Sequence, residues 1–332
     1  MVKIAIPRRA IQRHRRTYHE ALNACLRAMA RDAGKGSVLR AYCLFLGREN
    51  RKHSLTISSP QTLWRVIEEE KKFWSRRTAS DRALQDNVYA SMLNLFDYGK
   101  FKSGHVMVPT PDGTNPFSWR PSADGWRFSE FQDMLGITEC PYCNADSIER
   151  IEVGGRGFGP DIEHYFPQSE FPYLALSLFN LIPACNKCNG RIKKAIVPPF
   201  PKCTHPYRDS FHEGAHFTYQ HDVASGNEIV IRDVRLQPVA GELGLRAEAM
   251  ANLMLLNARY GQHYVNEVKH AIRVKRRRSA SRLGRLKRRL PGLTLREMDI
   301  ADFEFELLPK NINCNRFSKL YLDIVYPNGR HI

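Results

Sequence analysis

Acidic residues are in deficit: 34 Asp and Glu stand against 51 Lys and Arg, a formal net charge of +17 over 332 residues. An excess of that size favours polyanions, because Lys and Arg release condensed counterions when they neutralise phosphates. Long apolar runs are missing as well. None approaches the roughly 18–20 residues that span a bilayer, so a membrane-embedded protein is not expected. The opening stretch, MVKIAIPRRAIQRHRR, has too short an apolar segment before its charges for a secretory leader, and a cytoplasmic location is the expectation. No Walker motif occurs, so any nucleotide-driven control must come from another chain. Internal repeats are absent, and with them any repeat architecture.

Cysteine is not scarce, but eight in a cytosolic chain do not suggest a disulfide framework. Cys25 and Cys43 read as small buried apolar residues. Four others form two CxxC pairs, Cys140/Cys143 and Cys185/Cys188, which suit a tetrahedral zinc site of the ribbon type. Four thiolates complete the coordination shell, so such a site holds shape and leaves no position open for chemistry. The remaining histidine-rich stretch, with Cys203, His205, His212 and His216, fits no ligand spacing.

The length allows one sizeable core with appended elements or two modest domains. We expect an α+β protein with a helical N-terminal region over 1–100, whose first helix runs from about 8 to 33 and starts with a crowd of arginines. A second helical stretch is expected over about 60–98, broken near Ala79-Ser80. Residues 101–130, rich in Pro, Gly, Ser and Trp, read as an irregular connection. A cysteine-clamped core follows over 131–212. The last segment, 213–332, reads as a hairpin over 217–234, a long helix over about 243–278 with a basic tail, and short terminal strands through FEFELL and KLYLDIVY. Ten Lys/Arg and no acid lie between Arg273 and Arg289.

Between the cysteine pairs the chain reads DIEHYFPQS and then FNLIPACNKCN, followed by RIKK. A strand ending at His164, a loop started by Pro167, a strand opened by Asn180 and a helix from about Asn186 to Lys194 make a ββα unit. The order CPYC, DIEH-x-x-P-x-S, N-L, C-x-x-C-N resembles the HNH, or ββα-metal, endonucleases of the cysteine-flanked type. More loosely, the flanks resemble HNH subunits of the Septu and retron anti-phage systems, where the nuclease accompanies an ATPase.

The resemblance implies a role for each matching position. His164 would be the general base, its ordinary pKa near 6.5 allowing a neutral imidazole at physiological pH. Glu163, or Asp161 two residues earlier, would hold a divalent ion together with Asn189. The pattern has Asp more often than Glu before the histidine, which keeps both carboxylates in play. Asn180 would fix the imidazole orientation. Magnesium or manganese suits a carboxylate, an amide oxygen, waters and phosphate oxygens. Arg191, Lys193 and Lys194, and in the basic tail Lys275, Arg276, Arg277 and Arg278, would grip the nucleic-acid backbone. The implied function is metal-dependent phosphodiester hydrolysis, with DNA favoured over RNA. Competing readings are a catalytically silent zinc-stabilised binding or assembly subunit, and a mobile-element or homing nuclease.

Overall fold

A computed structural model of the chain describes residues 3–110, 115–123, 125, 128–153, 156–277 and 309–325. It is a mixture of helices and small antiparallel two-stranded sheets, an α+β architecture. No helix among the described residues is long and apolar enough to cross a membrane.

The first helix, α1 (Arg8–Asp32), forms because Ala10, His14, Tyr18, Leu22, Cys25, Leu26 and Met29 recur at three- and four-residue steps and all turn inward. Two left-handed glycines, Gly34 and Gly36, release the chain after it. The next helix, α2 (Val38–His53), was not expected from sequence. Ser37 caps it by accepting from the Arg40 N–H, and Tyr42, Cys43 and Leu46 form its buried face. Ser59 caps α3 (Pro60–Ser75), with Pro60 in its first turn. The expected break falls between α3, α4 (Ala79–Ala83) and α5 (Gln85–Leu95). A short α6 (Tyr98–Lys102) closes the helical region.

A single buried carboxylate ties these helices together. Glu70 of α3, 2% exposed, accepts hydrogen bonds from the Tyr42, Tyr89, Trp74 and Tyr173 side chains. Burial pushes its pKa up, and the four donors act in the opposite sense. Tyr173 belongs to the centre of the chain, so this hub joins the N-terminal helices to the segment that carries the candidate site.

The expected irregular connection contains a hairpin instead, β1 (His105–Pro109) against β2 (Phe117–Pro121). Its Met107 and Phe117 are buried, which gave the pairing a core to face despite the surrounding turn formers. After α7 (Phe128–Leu135) come a small pair, β3 (Ile151–Val153) with β4 (Arg156–Phe158), and then β5 (Asp161–His164) antiparallel to β6 (Leu181–Ala184). The helix expected after β6 is a π-helix, Lys187–Lys193. A long hairpin, β7 (Ala215–Val223) with β8 (Ile229–Pro238), follows α8 (Phe211–Gly214).

Two expectations about the C-terminal part need correction. The single helix over 243–278 is three: α9 (Glu242–Leu253), α10 (Leu256–His263) and α11 (Val265–Arg277). Leu255 takes a left-handed φ of 53° at the first corner, which a continuous helix cannot pass. KLYLDIVY does not make a strand: Ser318–Val325 is a helix, α12, burying Leu320, Tyr321, Leu322 and Ile324. Lys319 is fully buried in the same helix, donating to the Ala215 carbonyl and to Asp323. That burial pattern covers most of the helix surface and erased the periodicity that would have revealed it. FEFELL lies outside the described residues.

Candidate functional site

Two clusters meet around β5, β6 and the π-helix. In the first, Cys140 and Cys143 come from a turn after α7, and Cys185 and Cys188 from the junction of β6 with the π-helix. All four are buried, and their sulfurs lie within 4.8 Å of one another. Four Zn–S bonds of about 2.3 Å in a tetrahedron require sulfurs about 3.8 Å apart, and Cys143 and Cys185 stand at 3.9 Å. The donor set and spacing fit a structural zinc ion. It is the one such ligand group among the described residues; Cys203, His205, His212 and His216 do not assemble into another.

The surroundings of the thiols are as organised as the thiols. Arg259 of α10 donates to Cys188 Sγ at 3.2 Å and to the Asp146 carboxylate at 3.1 Å. Burial works against its charge, while the sulfurs of Cys188 and Cys143 push its pKa up. Four thiolates around a dication carry a net double negative charge, and a buried guanidinium offsets part of it. Tyr260 donates to the Cys143 carbonyl at 2.6 Å. Asn144, in a left-handed turn at φ 53°, donates to Ile312 O and Asn315 O and accepts from Lys319 N–H. The segment leading into α12 therefore braces the cysteine turn from the far end of the chain.

The second cluster is built on β5. Strand alternation sends Glu163 and His164 to opposite faces. His164 is half-buried, and its Nε2 lies 3.1 Å from the Ala175 carbonyl. A carbonyl can only accept, so Nε2 carries the hydrogen and Nδ1 keeps its lone pair. Burial lowers the His164 pKa to about 4; the bond to Ala175 opposes that shift and Lys193 adds to it. The imidazole is neutral throughout the physiological range. No partner for Nδ1 occurs among the described residues.

The Ala175 carbonyl is itself held in place. Asn180 donates to Phe166 O and Leu174 O and accepts from Phe166 N–H, all at 3.0 Å or less. Ser177 Oγ donates to Leu55 O, Leu178 N–H to Thr56 O, and His14 Nε2 to Leu176 O at 2.9 Å. Asn180 thus acts on the loop that orients the imidazole and makes no contact with the imidazole.

Glu163 departs from the expected metal-ligand role. It is 1% exposed, accepts from Tyr142 OH at 2.7 Å, and forms an ion pair with the fully buried Lys193. Lys193 Nζ also donates to the His164 carbonyl at 2.9 Å. Glu163 and Lys193 are a mutual brace between β5 and the π-helix. As placed, Glu163 does not fit a hydrated divalent ion, and Lys193 cannot grip a substrate. Asp161 is the accessible carboxylate: it is half-exposed and accepts from Asn186 at 3.0 Å at the start of the π-helix. Asn189 sits on the first turn of that helix, half-buried, with no side-chain partner among the described residues.

Sequence reasoning missed Tyr98. Its ring stands edge-on to His164, centroids 4.9 Å apart at 83°. Burial, then the Asp161 carboxylate, push its hydroxyl pKa up, so it stays a neutral donor. No spacing rule links α6 to β5, and only the fold brings them together. Arg191 and Lys194 are exposed. In the tail, Lys275 lies against the Tyr219 ring and Arg276 bonds His221, while the Arg277 side chain and Arg278 lie outside the described residues.

Comparisons with protein-family models, curated proteins and solved structures return no match for this chain.

Proposed function

We propose that the protein is a metal-dependent endonuclease of the HNH type that hydrolyses phosphodiester bonds, with DNA the favoured substrate. The observation that carries this reading is His164: a neutral imidazole whose Nε2 is committed to a backbone carbonyl and whose Nδ1 has no partner among the described residues. That is the protonation state a general base needs to take a proton from an attacking water. The order of motifs in the sequence supports the same class.

In this reading Asp161 and Asn189 hold a magnesium or manganese ion. One carboxylate and one amide are a sufficient protein share, because magnesium keeps several waters. When bound, the ion supplies charge neutralisation at the scissile phosphate and the departing oxygen. Glu163 and Lys193 hold the strand and the helix in register, and the Ala175 carbonyl keeps the imidazole in the working tautomer. Zinc at the four cysteines is structural. With no Walker motif in the chain, nucleotide control would come from a separate ATPase, as in the defence systems that the sequence resembles.

The test is incubation of supercoiled plasmid and of tRNA with the zinc-loaded protein, with magnesium, manganese or neither. Metal-dependent cutting is the expected result. Intact DNA and RNA under all conditions, both for the chain alone and for any co-purified ATPase complex, would return it to a zinc-stabilised binding or assembly subunit.

A further inference from the structure

Some cations of this protein have an acidic neighbour. On α3, Lys71 pairs with Glu68 at 2.9 Å and Lys72 with Glu69 at 2.8 Å; elsewhere Arg246 pairs with Glu242, and Arg232 with Asp222. The first turns of α1 carry a denser group of cations, and the short α6 adds two more. Arg8, Arg9, Arg15 and Arg16 on α1, and Lys100 and Lys102 on α6, are exposed, and none forms an ion pair among the described residues. No acid occupies the first turn of α1. Glu20 is the one exposed acid within its first four turns.

The two helices that carry these cations pack against the segment that holds His164. The inward side of α1 carries His14, which bonds Leu176 O, one residue beyond the carbonyl that holds His164. Phe101 of α6 packs on His14 and Tyr18, ring centroids 5.6 and 5.2 Å away. Tyr98 of the same short helix touches the His164 ring. One side of each helix is therefore bound to the candidate site, and the other presents unneutralised charge to solvent.

We infer that the outer side of α1, continued by α6, is the surface that binds the phosphodiester backbone of the nucleic acid. From Arg8 to Arg16 the helix rises about 12 Å, long enough for its arginines to reach more than one phosphate of a strand. Unpaired cations at that spacing gain counterion release on binding, whereas paired ones such as Lys71 would first have to give up a partner. These residues are distinct from the 191–194 and 275–278 segments to which the sequence points. The inference depends on the nuclease reading only for what the bound strand is delivered to.

The experiment is fluorescence anisotropy of a 20-base-pair duplex DNA, and separately of an RNA of equal length, over a salt series with the full-length zinc-loaded protein. The R8Q/R9Q/R15Q/R16Q variant is compared with wild type and with a K71Q/K72Q control. We expect affinity to fall at least tenfold, and the slope of log K against log salt to become shallower by about 2 to 4, at close to 0.9 per lost phosphate contact. The control should match wild type. Whichever of DNA and RNA shows the larger loss is the substrate strand. Equal affinity and slope in the quadruple variant, with zinc content and helicity retained, would overturn the inference. So would binding to anionic vesicles with none to either nucleic acid. A wild type that binds through α1 yet cuts neither substrate leaves the surface standing and defeats the nuclease reading. One that cuts normally after the substitutions does the reverse.

Discussion

The two clusters share a strand and a helix but differ in how their polar atoms are used. At the cysteines every ligand is buried, and donors from α10 and carbonyl acceptors from the segment before α12 surround the group. At His164 the backing is just as elaborate, yet among the described residues Nδ1 of the imidazole, one oxygen of Asp161 and the amide of Asn189 have no partner. A site that satisfies all its groups can only hold shape. One that leaves a few without a protein partner keeps them open to water or, in the proposed reading, to a metal ion and substrate.

Removing zinc should produce the largest effect. Cys188→Ser is expected to lose the metal and the cooperative melting of the whole centre. Structural zinc sites carry binding energies on the order of 10 kcal/mol, and that energy is folding energy here. Metal content and a thermal melt on the same sample check this. A variant that melts like wild type without metal would mean the centre packs adequately without the ion.

The two carboxylates sharpen the contrast. Glu163→Gln leaves Lys193 buried without its counter-charge and should cost about 3–5 kcal/mol, while cleavage at low temperature persists. Asp161→Asn should do the opposite, abolishing cleavage with a melting temperature close to wild type. Denaturant titration beside a cleavage assay separates them, and the reversed pattern would restore Glu163 as the metal ligand.

A third prediction concerns pH. Burial lowers the His14 pKa to about 4, opposed by its bond to Leu176. The unfolded chain takes up this proton near pH 6.5 and the folded one does not until about pH 4. Stability from this group is therefore complete above 6.5 and falls as the pH drops through that window. Between pH 7.5 and 5.5 the loss should be about 1 kcal/mol, by one pKa unit of differential protonation. His14→Phe should show a correspondingly flatter dependence in urea titrations at the two pH values. The smallest effect is expected at Tyr98→Phe, which keeps the ring against His164 and removes the hydroxyl. A several-fold fall in turnover with unchanged stability, about 1 kcal/mol for one lost hydrogen bond, would place that hydroxyl in the reaction.

The cysteine clamp was readable in the sequence because its ligands are local pairs of one residue type. The two strands and the helix between and after those pairs were readable from Pro167, Asn180 and the second CxxC. What sequence periodicity could not carry is which face each side chain takes. Glu163 and His164 are adjacent and look alike as polar residues, yet strand alternation buries one in an ion pair and turns the other to the opposite face, half-buried. Lys193 was grouped with Arg191 and Lys194 by charge, although its position on the π-helix turns it inward. Tyr98, Glu70 and Arg259 act across long sequence separations that no local pattern encodes. At the C-terminus, α12 is buried over most of its surface, so it carried no helical stripe to recognise.

The most direct test is a cleavage assay and a zinc determination on one preparation of His164→Ala. One zinc per chain, wild-type melting and a rate reduced by about 10²–10⁴-fold, the usual share of a general base, are expected. Cutting at the wild-type rate by a correctly folded His164→Ala protein would contradict that role.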